Sequence, residues 1–210
     1  MTAVLVPLKP LAEAKSRFRA ACDDETRAAL VRAMLTDVLD AVRAAHDGPL
    51  LLVTADAAFG ELAARFDARR IEDRAHDYNG AVAAALHTAA VRDAGAALVL
   101  PADLPRATPG DIVCVLEALR TAEVVLVPAH DGGTAALGLR PPDAIAPAFG
   151  PGSAAAHREA ARAAARRFEE IDCPSLAFDV DTPSDLERDP ASLGPATREF
   201  LASHTLAGRR

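Results

Sequence analysis

The chain has 210 residues, half of them hydrophobic and a quarter charged, with no tryptophan and one tyrosine. That length fits one ordinary domain, and the composition is that of a globular protein whose core is built from small aliphatic side chains. A formal net charge of −7 argues against broad nucleic-acid binding and against an anionic membrane, both of which want basic surfaces. It leaves room for a small phosphorylated substrate held by a few placed cations.

The three cysteines, Cys22, Cys114 and Cys173, stand far apart with no Cys-x-x-Cys spacing, which fits reduced, buried thiols. No apolar run is long enough for a bilayer, and a strand pattern begins by Ala3. The expectation is therefore a cytoplasmic protein with no signal segment.

In chain order, Ala3 to Pro7 reads as a first buried strand. A basic loop leads to a long helix over Asp24–Ala45, with Leu30, Met34, Val38 and Val42 recurring at helical spacing and Asp47-Gly48-Pro49 ending it. Leu50 to Val53 is a second strand, Asp56 caps a short helix to about Phe66, and Arg70-Ile71 marks a weak third strand. An Ala-rich helix follows the loop His76 to Gly80, runs to Asp93 and is closed by Gly95. Ala97 to Leu100 is the next strand, and Thr108-Pro109 opens a helix with a cap and a first-position proline. Strands are expected over Glu123–Val127 and Thr134–Leu139, a helix over Ser153–Arg167, and a last strand near Leu176–Phe178. Thr182-Pro183-Ser184-Asp185 is a capping arrangement that starts a short helix. The alternation predicts an α/β fold: a mixed, mostly parallel sheet with helices on both faces, in a single domain over residues 1–210.

The chemistry concentrates in loops. Pro101-Ala102-Asp103-Leu104-Pro105 places a lone carboxylate after an apolar strand, where α/β sheets bind ligands. Asp179-Val180-Asp181-Thr182-Pro183 is a second acidic cluster in a similar position. Either alone serves equally well as a turn or cap; together they suit one divalent cation that manages phosphates. The loop Pro7 to Arg17 carries Lys9, Lys15 and Arg17, suited to a triphosphate and a departing diphosphate or, just as readily, to a solvated basic surface. It has no Walker pattern, which excludes an ordinary P-loop enzyme.

Asp131-Gly132-Gly133-Thr134 reads either as a plain hairpin turn or as a close-approach loop in which Thr134 donates to an anion. In Phe149-Gly150-Pro151-Gly152-Ser153, Gly150, Gly152 and Ala155 imitate a dinucleotide fingerprint, but the proline-interrupted stretch before it is no central strand. A glycine-rich turn feeding a helix N-terminus, with Ser153 toward an anion, fits better. His157, one turn on and on the same side as Ser153, reads as an exposed helix histidine before it reads as a ligand contact. Asn79 either caps its helix or reads a purine edge. Nothing supports a Ser–His–Asp set or a zinc site.

These loops, in this order, resemble the guanylyltransferases of deazaflavin-coenzyme (F-420) biosynthesis. The matching pieces are Val6-Pro7-Leu8-Lys9 with Ala14-Lys15-Ser16-Arg17, Pro101 to Pro105, Gly132-Gly133-Thr134-Ala135, Phe149 to Ser153 and Asp179 to Pro183, spread over nearly the whole chain. The Pro-Ala-Asp-Leu-Pro and Asp-Val-Asp-Thr-Pro segments fit nucleotidyltransferases more widely, including those of the molybdenum cofactor. Those enzymes usually begin with a glycine-rich Leu-Ala-Gly-Gly loop, which is absent here.

The resemblance implies a GT-A-like (Rossmann-like) nucleotidyltransferase fold, GTP as donor, and Mg²⁺ on Asp103 with Asp179 or Asp181. It also implies that Thr134, Gly150 and Ser153 hold the acid substrate; beside it, the residue reading expects catalytic work from Asp103, Lys9, Lys15 and Arg17, with Gly133 and Asn79 near the ligands. The acceptor is a small three-carbon acid: phosphoenolpyruvate first, then 2-phospho-L-lactate or 3-phospho-D-glycerate. Hand-off of product to the next enzyme of the pathway and a homodimer are both compatible with it. The alternatives are another GT-A-like nucleotidyltransferase, acting on a sugar phosphate or the molybdenum cofactor, and a non-catalytic nucleotide-binding subunit.

Overall fold

The structure, a computed structural model, describes residues 1–75 and 77–207; His76 of the loop before the Ala-rich helix lies outside them. The elements in order are β1 (Thr2–Pro7), α1 (Asp24–Ala45), β2 (Leu50–Val53), α2 (Gly60–Arg65), β3 (Arg69–Ile71), α3 (Tyr78–Leu86), α4 (Ala89–Ala94) and β4 (Ala96–Val99). There follow α5 (Pro109–Ala118), β5 (Val124–Pro128), β6 (Thr134–Leu139), α6 (Ser153–Ala163), β7 (Phe168–Glu170) and α7 (Pro195–Ser203). The strands form one sheet in the order β3-β2-β1-β4-β6-β5-β7. β6 runs antiparallel to both of its neighbours, and every other pairing is parallel.

Alternation along each strand sends side chains to opposite faces. Val4, Val6, Leu50, Leu52 and Leu98 join the core under α1, α2, α5 and α7. Ala3, Leu5, Leu51, Val53, Ala97 and Val99 join the one under α3, α4 and α6. Both faces of the central strands are therefore dry, which is why they read as unbroken apolar runs. The expected α/β architecture is met.

Four expectations need correction. Of the three cysteines expected to be buried, Cys173 is, but Cys22 is half-buried and Cys114 exposed. The Ala-rich helix is two helices, because Thr88 takes an extended conformation between α3 and α4 and its hydroxyl bonds to the Ala85 carbonyl. The helix from Ser153 stops at Ala163, with Ala165 in the left-handed region, and the chain then forms β7. That edge strand is exposed along its length, so no apolar pattern announces it. Leu176–Phe178 is no strand: the amides of Leu176 and Ala177 turn back to the Cys173 carbonyl, although Leu176 itself is buried. Among the described residues no helix is long and apolar enough to cross a membrane.

Candidate active site

A cleft of about 570 Å³ opens at the carboxyl ends of β1 and β4, where open α/β sheets bind ligands. Its walls carry Lys9, Lys15 and Arg17 from the first loop, Asp103, Asp179 and Asp181, and Gly133, Thr134 and Gly150.

The acidic loops are joined through the main chain: the Val180 amide donates to the Asp103 carbonyl at 3.1 Å, and the Val180 side chain is wholly buried. Asp185 accepts from the amides of Asp181 (3.1 Å) and Thr182 (2.7 Å) and from the Thr182 hydroxyl, completing the capping box read from the sequence. Arg106 braces the same loop, donating to the carbonyls of Asp185 and Arg188 and to the Ser192 hydroxyl. As a result, one carboxylate oxygen each from Asp103, Asp179 and Asp181 lies within 4.8 Å of the others.

Lys15 reaches into this trio. Its Nζ lies 2.6 Å from Asp103 Oδ2 and 3.0 Å from Asp181 Oδ1, while Arg17 Nη1 lies 2.9 Å from Asp181 Oδ2. The Lys15 backbone is left-handed, φ 51°, a conformation a non-glycine residue adopts at a cost of about 1–3 kcal/mol and one concentrated at functional sites. Burial works against the Lys15 charge, but Asp103 and Asp181 outweigh it and hold the ammonium above its ordinary pKa.

The aspartates divide. Burial first, then the neighbouring charges of Asp103 and Asp181, raise Asp179 to about 6. Burial would also raise Asp181, but Lys15, Arg17 and Lys9 more than offset it and hold that carboxyl below its usual value. Three carboxylates against two paired cations leave a residual negative charge.

Hard oxygen donors in this arrangement suit Mg²⁺ or Mn²⁺. Octahedral ligands about 2.1 Å from an ion stand roughly 3.0–4.2 Å apart, so a small closure of the trio is enough. The donor set fits the expected ion.

The opposite wall is organised around Thr134 and Phe149. Asp131 to Thr134 is the β5–β6 connection, with Gly132 at φ 86°, and it also brings Gly133 and Thr134 to the cleft. The segment is thus a hairpin turn that borders the cleft. Gly150 lines the cleft at φ 134°, a conformation essentially confined to glycine.

Ser153 and Asn79 stand behind the cleft lining. The Ser153 hydroxyl is buried and donates to Thr134 Oγ1 at 2.9 Å. The amides of Ser153 to Ala156 all donate to protein carbonyls, so that helix end is spent on the fold and not presented to an anion. Asn79 does not cap α3; Asp77 does, accepting from the Gly80 amide. Asn79 clamps the Phe149 main chain instead, Nδ2 donating to its carbonyl at 2.9 Å and Oδ1 accepting from its amide at 2.7 Å. A purine-reading Asn79 is thereby disfavoured.

His157, expected on the surface, is wholly buried beneath Thr134. The Phe149 ring packs edge-on against Tyr78 and His157, with centroids at 5.4 and 5.3 Å. The Tyr78 hydroxyl is buried without a partner among the described residues. Burial, then the nearby Asp103 charge, push its pKa well above the usual phenol value.

The sequence reading missed Arg106, Tyr78 and the true place of His157. For Arg106 the one available signal was its position, directly after the second proline of the Asp103 loop.

The chain matches the model of the guanylyl transferase CofC-like family over residues 2–203. The phosphoenolpyruvate guanylyltransferase of Rubrobacter xylanophilus is 38% identical over 192 residues, covering 90% of this chain and 94% of that protein. The 3-phospho-D-glycerate guanylyltransferase of Phenylobacterium zucineum is 40% identical over 196 residues, 90% of each chain. Among solved structures, a candidate nucleotide-diphospho-sugar transferase from Desulfovibrio desulfuricans G20 superposes with a TM-score of 0.78 at 19% identity, covering 96% of this chain and 94% of that one. That likeness establishes a GT-A-like nucleotidyltransferase fold, and the family match establishes kinship: the chain belongs to the CofC-like guanylyltransferases.

Proposed function

We propose that the protein transfers the guanylyl group of GTP to a three-carbon phosphorylated acid, releasing diphosphate, with phosphoenolpyruvate as the preferred acceptor and a place in deazaflavin coenzyme (F-420) biosynthesis. The observation that carries this reading is the trio Asp103, Asp179 and Asp181 beside Lys9, Lys15 and Arg17 in one cleft. Relatives from Rubrobacter, Sphaerobacter and Conexibacter are all named for phosphoenolpyruvate, which supports that acceptor over the 3-phospho-D-glycerate of the Phenylobacterium relative.

A divalent ion held by the three carboxylates would neutralise phosphate oxygens and bring the two substrates together. The chain's own side chains do the rest. The acceptor's phosphate oxygen attacks the α-phosphorus of GTP in line with the leaving diphosphate, and that nucleophile is already ionised at neutral pH, so no general base is needed. Catalysis then rests on positioning and charge. Lys9, Lys15 and Arg17 stabilise the departing diphosphate, while Thr134, with Gly133 and Gly150 allowing close approach, orients the acid.

The test offers GTP, ATP, CTP and UTP against phosphoenolpyruvate, 2-phospho-L-lactate, 3-phospho-D-glycerate and a sugar 1-phosphate with Mg²⁺, reading diphosphate release. GTP-dependent release with a three-carbon acid, abolished in a folded Asp103→Asn variant, supports the reading. Release with the sugar phosphate alone, or full turnover by the variant, overturns it.

A further inference from the structure

Under the cleft floor, four polar groups form a hydrogen-bonded chain that converges on Thr134. The Ala148 amide donates to His157 Nε2 at 2.9 Å, His157 Nδ1 and Thr134 Oγ1 are 2.9 Å apart, and Ser153 Oγ donates to Thr134 Oγ1 at 2.9 Å. His157 is 0%, Ser153 1% and Thr134 8% exposed.

Proton counting leaves one arrangement. A main-chain N–H can only donate, so Nε2 presents its lone pair. A neutral imidazole must then carry its proton on Nδ1 and give it to Thr134. Burial keeps the ring neutral, lowering its pKa to about 4, and an imidazolium would set a second N–H against that of Ala148. Thr134 Oγ1 thus accepts twice and has no lone pair left. Its own proton has no acceptor among the described residues, and Thr134 lines the cleft. Phe149, packed on the imidazole and clamped by Asn79, holds the ring in this orientation.

We propose that His157 is a positioning residue for the acid substrate: by donating to Thr134 it turns that hydroxyl into an obligate donor aimed at an anionic oxygen, carboxylate or phosphate, in the cleft. This rests on the reading under Proposed function. It assigns the buried Ser153 hydroxyl the same task, since Ser153 supplies the second donor to Thr134. An N–H group in the anion's place would meet a donor with a donor.

The experiment has two arms. In the first, KM for the acid and for GTP is measured for His157→Gln, His157→Asn, Thr134→Val and the pair His157→Gln with Thr134→Val, each checked for folding by its melt. The Gln amide reaches the place of Nε2 and serves Ala148 only; the Asn amide reaches the place of Nδ1 and serves Thr134. H157Q should raise the acid KM about tenfold, the loss of one hydrogen bond to a charged group, and leave the GTP KM within about twofold. H157N should recover most of the acid KM, and H157Q should add nothing on top of T134V. An acid KM unmoved by H157Q, or effects of H157Q and T134V that multiply, overturns the proposal.

The second arm needs no variant: nitrogen chemical shifts of His157 in the wild-type protein should show a protonated Nδ1 and a bare Nε2 from pH 6 to 8. A protonated Nε2 overturns the proposal. If the wild type turns over none of the acids, the functional reading fails by itself and the tautomer decides the relay; if it turns over and H157Q is silent, the relay alone fails.

Discussion

Replacing Lys15 by Met removes the ammonium from among the carboxylates and keeps the length of the stem. Each contact, at 2.6 and 3.0 Å between Nζ and oxygen, carries a Coulomb attraction of about 6 kcal/mol at an effective dielectric of about 20. Much of that offsets the cost of taking the ammonium out of water. Breaking a buried pair by deleting one partner costs roughly 3–5 kcal/mol. The Lys15 side chain is 8% exposed, but those of Asp103 and Asp181 are 29% and 46% exposed, so water relieves part of the loss. The expected deficit is about 2 kcal/mol, or roughly 4–8 °C in Tm for a chain of this size. The same change frees oxygens that Lys15 occupies. Mg²⁺ at a hundredfold excess over its Kd adds about 2.7 kcal/mol to the species it binds, so the ion should restore most of the loss and should raise the Tm of K15M more than that of the wild type. Melts with and without Mg²⁺ measure both. A K15M protein that melts no lower than wild type without the ion, and gains no more from it, refutes the account.

Acidity should act in two opposed ways. Asp179, raised to about 6, binds its proton more tightly in the folded state, so its contribution is present at low pH and is lost as pH rises through 6. His157, lowered to about 4 from its usual 6.5, contributes above 6.5 and loses that as pH falls toward 4. Asp179→Asn deletes the first, so its Tm should fall more steeply than wild type from pH 7 to 5; parallel curves would contradict the assignment. Ion affinity, followed by calorimetry, should weaken below pH 6 as Asp179 takes up its proton, and a Kd unchanged between pH 5 and 7.5 removes Asp179 from the site. Asp37, 5% exposed, accepts from the amides of Ala196 and Thr197 and so ties α7 to α1; Asp37→Ala should cost about 1–3 kcal/mol and loosen hydrogen exchange in α7 first, whereas an unchanged melt would show the tether idle. Tyr78→Phe removes a buried hydroxyl that has no partner among the described residues, so the ligand-free Tm should hold or rise; a clear fall would reveal a bond the geometry lacks.

What was legible from the amino acids followed from local physics. The apolar runs of β1, β2 and β4 are read correctly because burial on both faces leaves them no polar positions, and Thr108-Pro109 opens α5 because cap and proline act within one turn. The acidic loops were recognisable from Asp103 and Asp179 to Asp181, yet their meeting depends on the Val180 amide finding the Asp103 carbonyl, a long-range bond with no local trace. β7 was invisible because an exposed edge strand of Phe and two Glu joins the sheet through its backbone and carries no apolar alternation. His157 was misplaced for a related reason: α6 is rich in alanine and charge, and only tertiary packing under Thr134 shows that the face carrying Ser153, Ala154, His157 and Ala161 turns inward. Asn79 looked like a cap because its type favours caps, while Asp77, two residues earlier, already held that place.

Diffraction from crystals grown with GTP and Mn²⁺, recorded at the manganese absorption edge, tests the central claim most directly. An anomalous peak about 2.0–2.3 Å from oxygens of Asp103 and of Asp179 or Asp181, with Lys15 moved off its carboxylates toward phosphate, is the predicted result. Manganese bound elsewhere, with Lys15 still bridging Asp103 and Asp181, would contradict it.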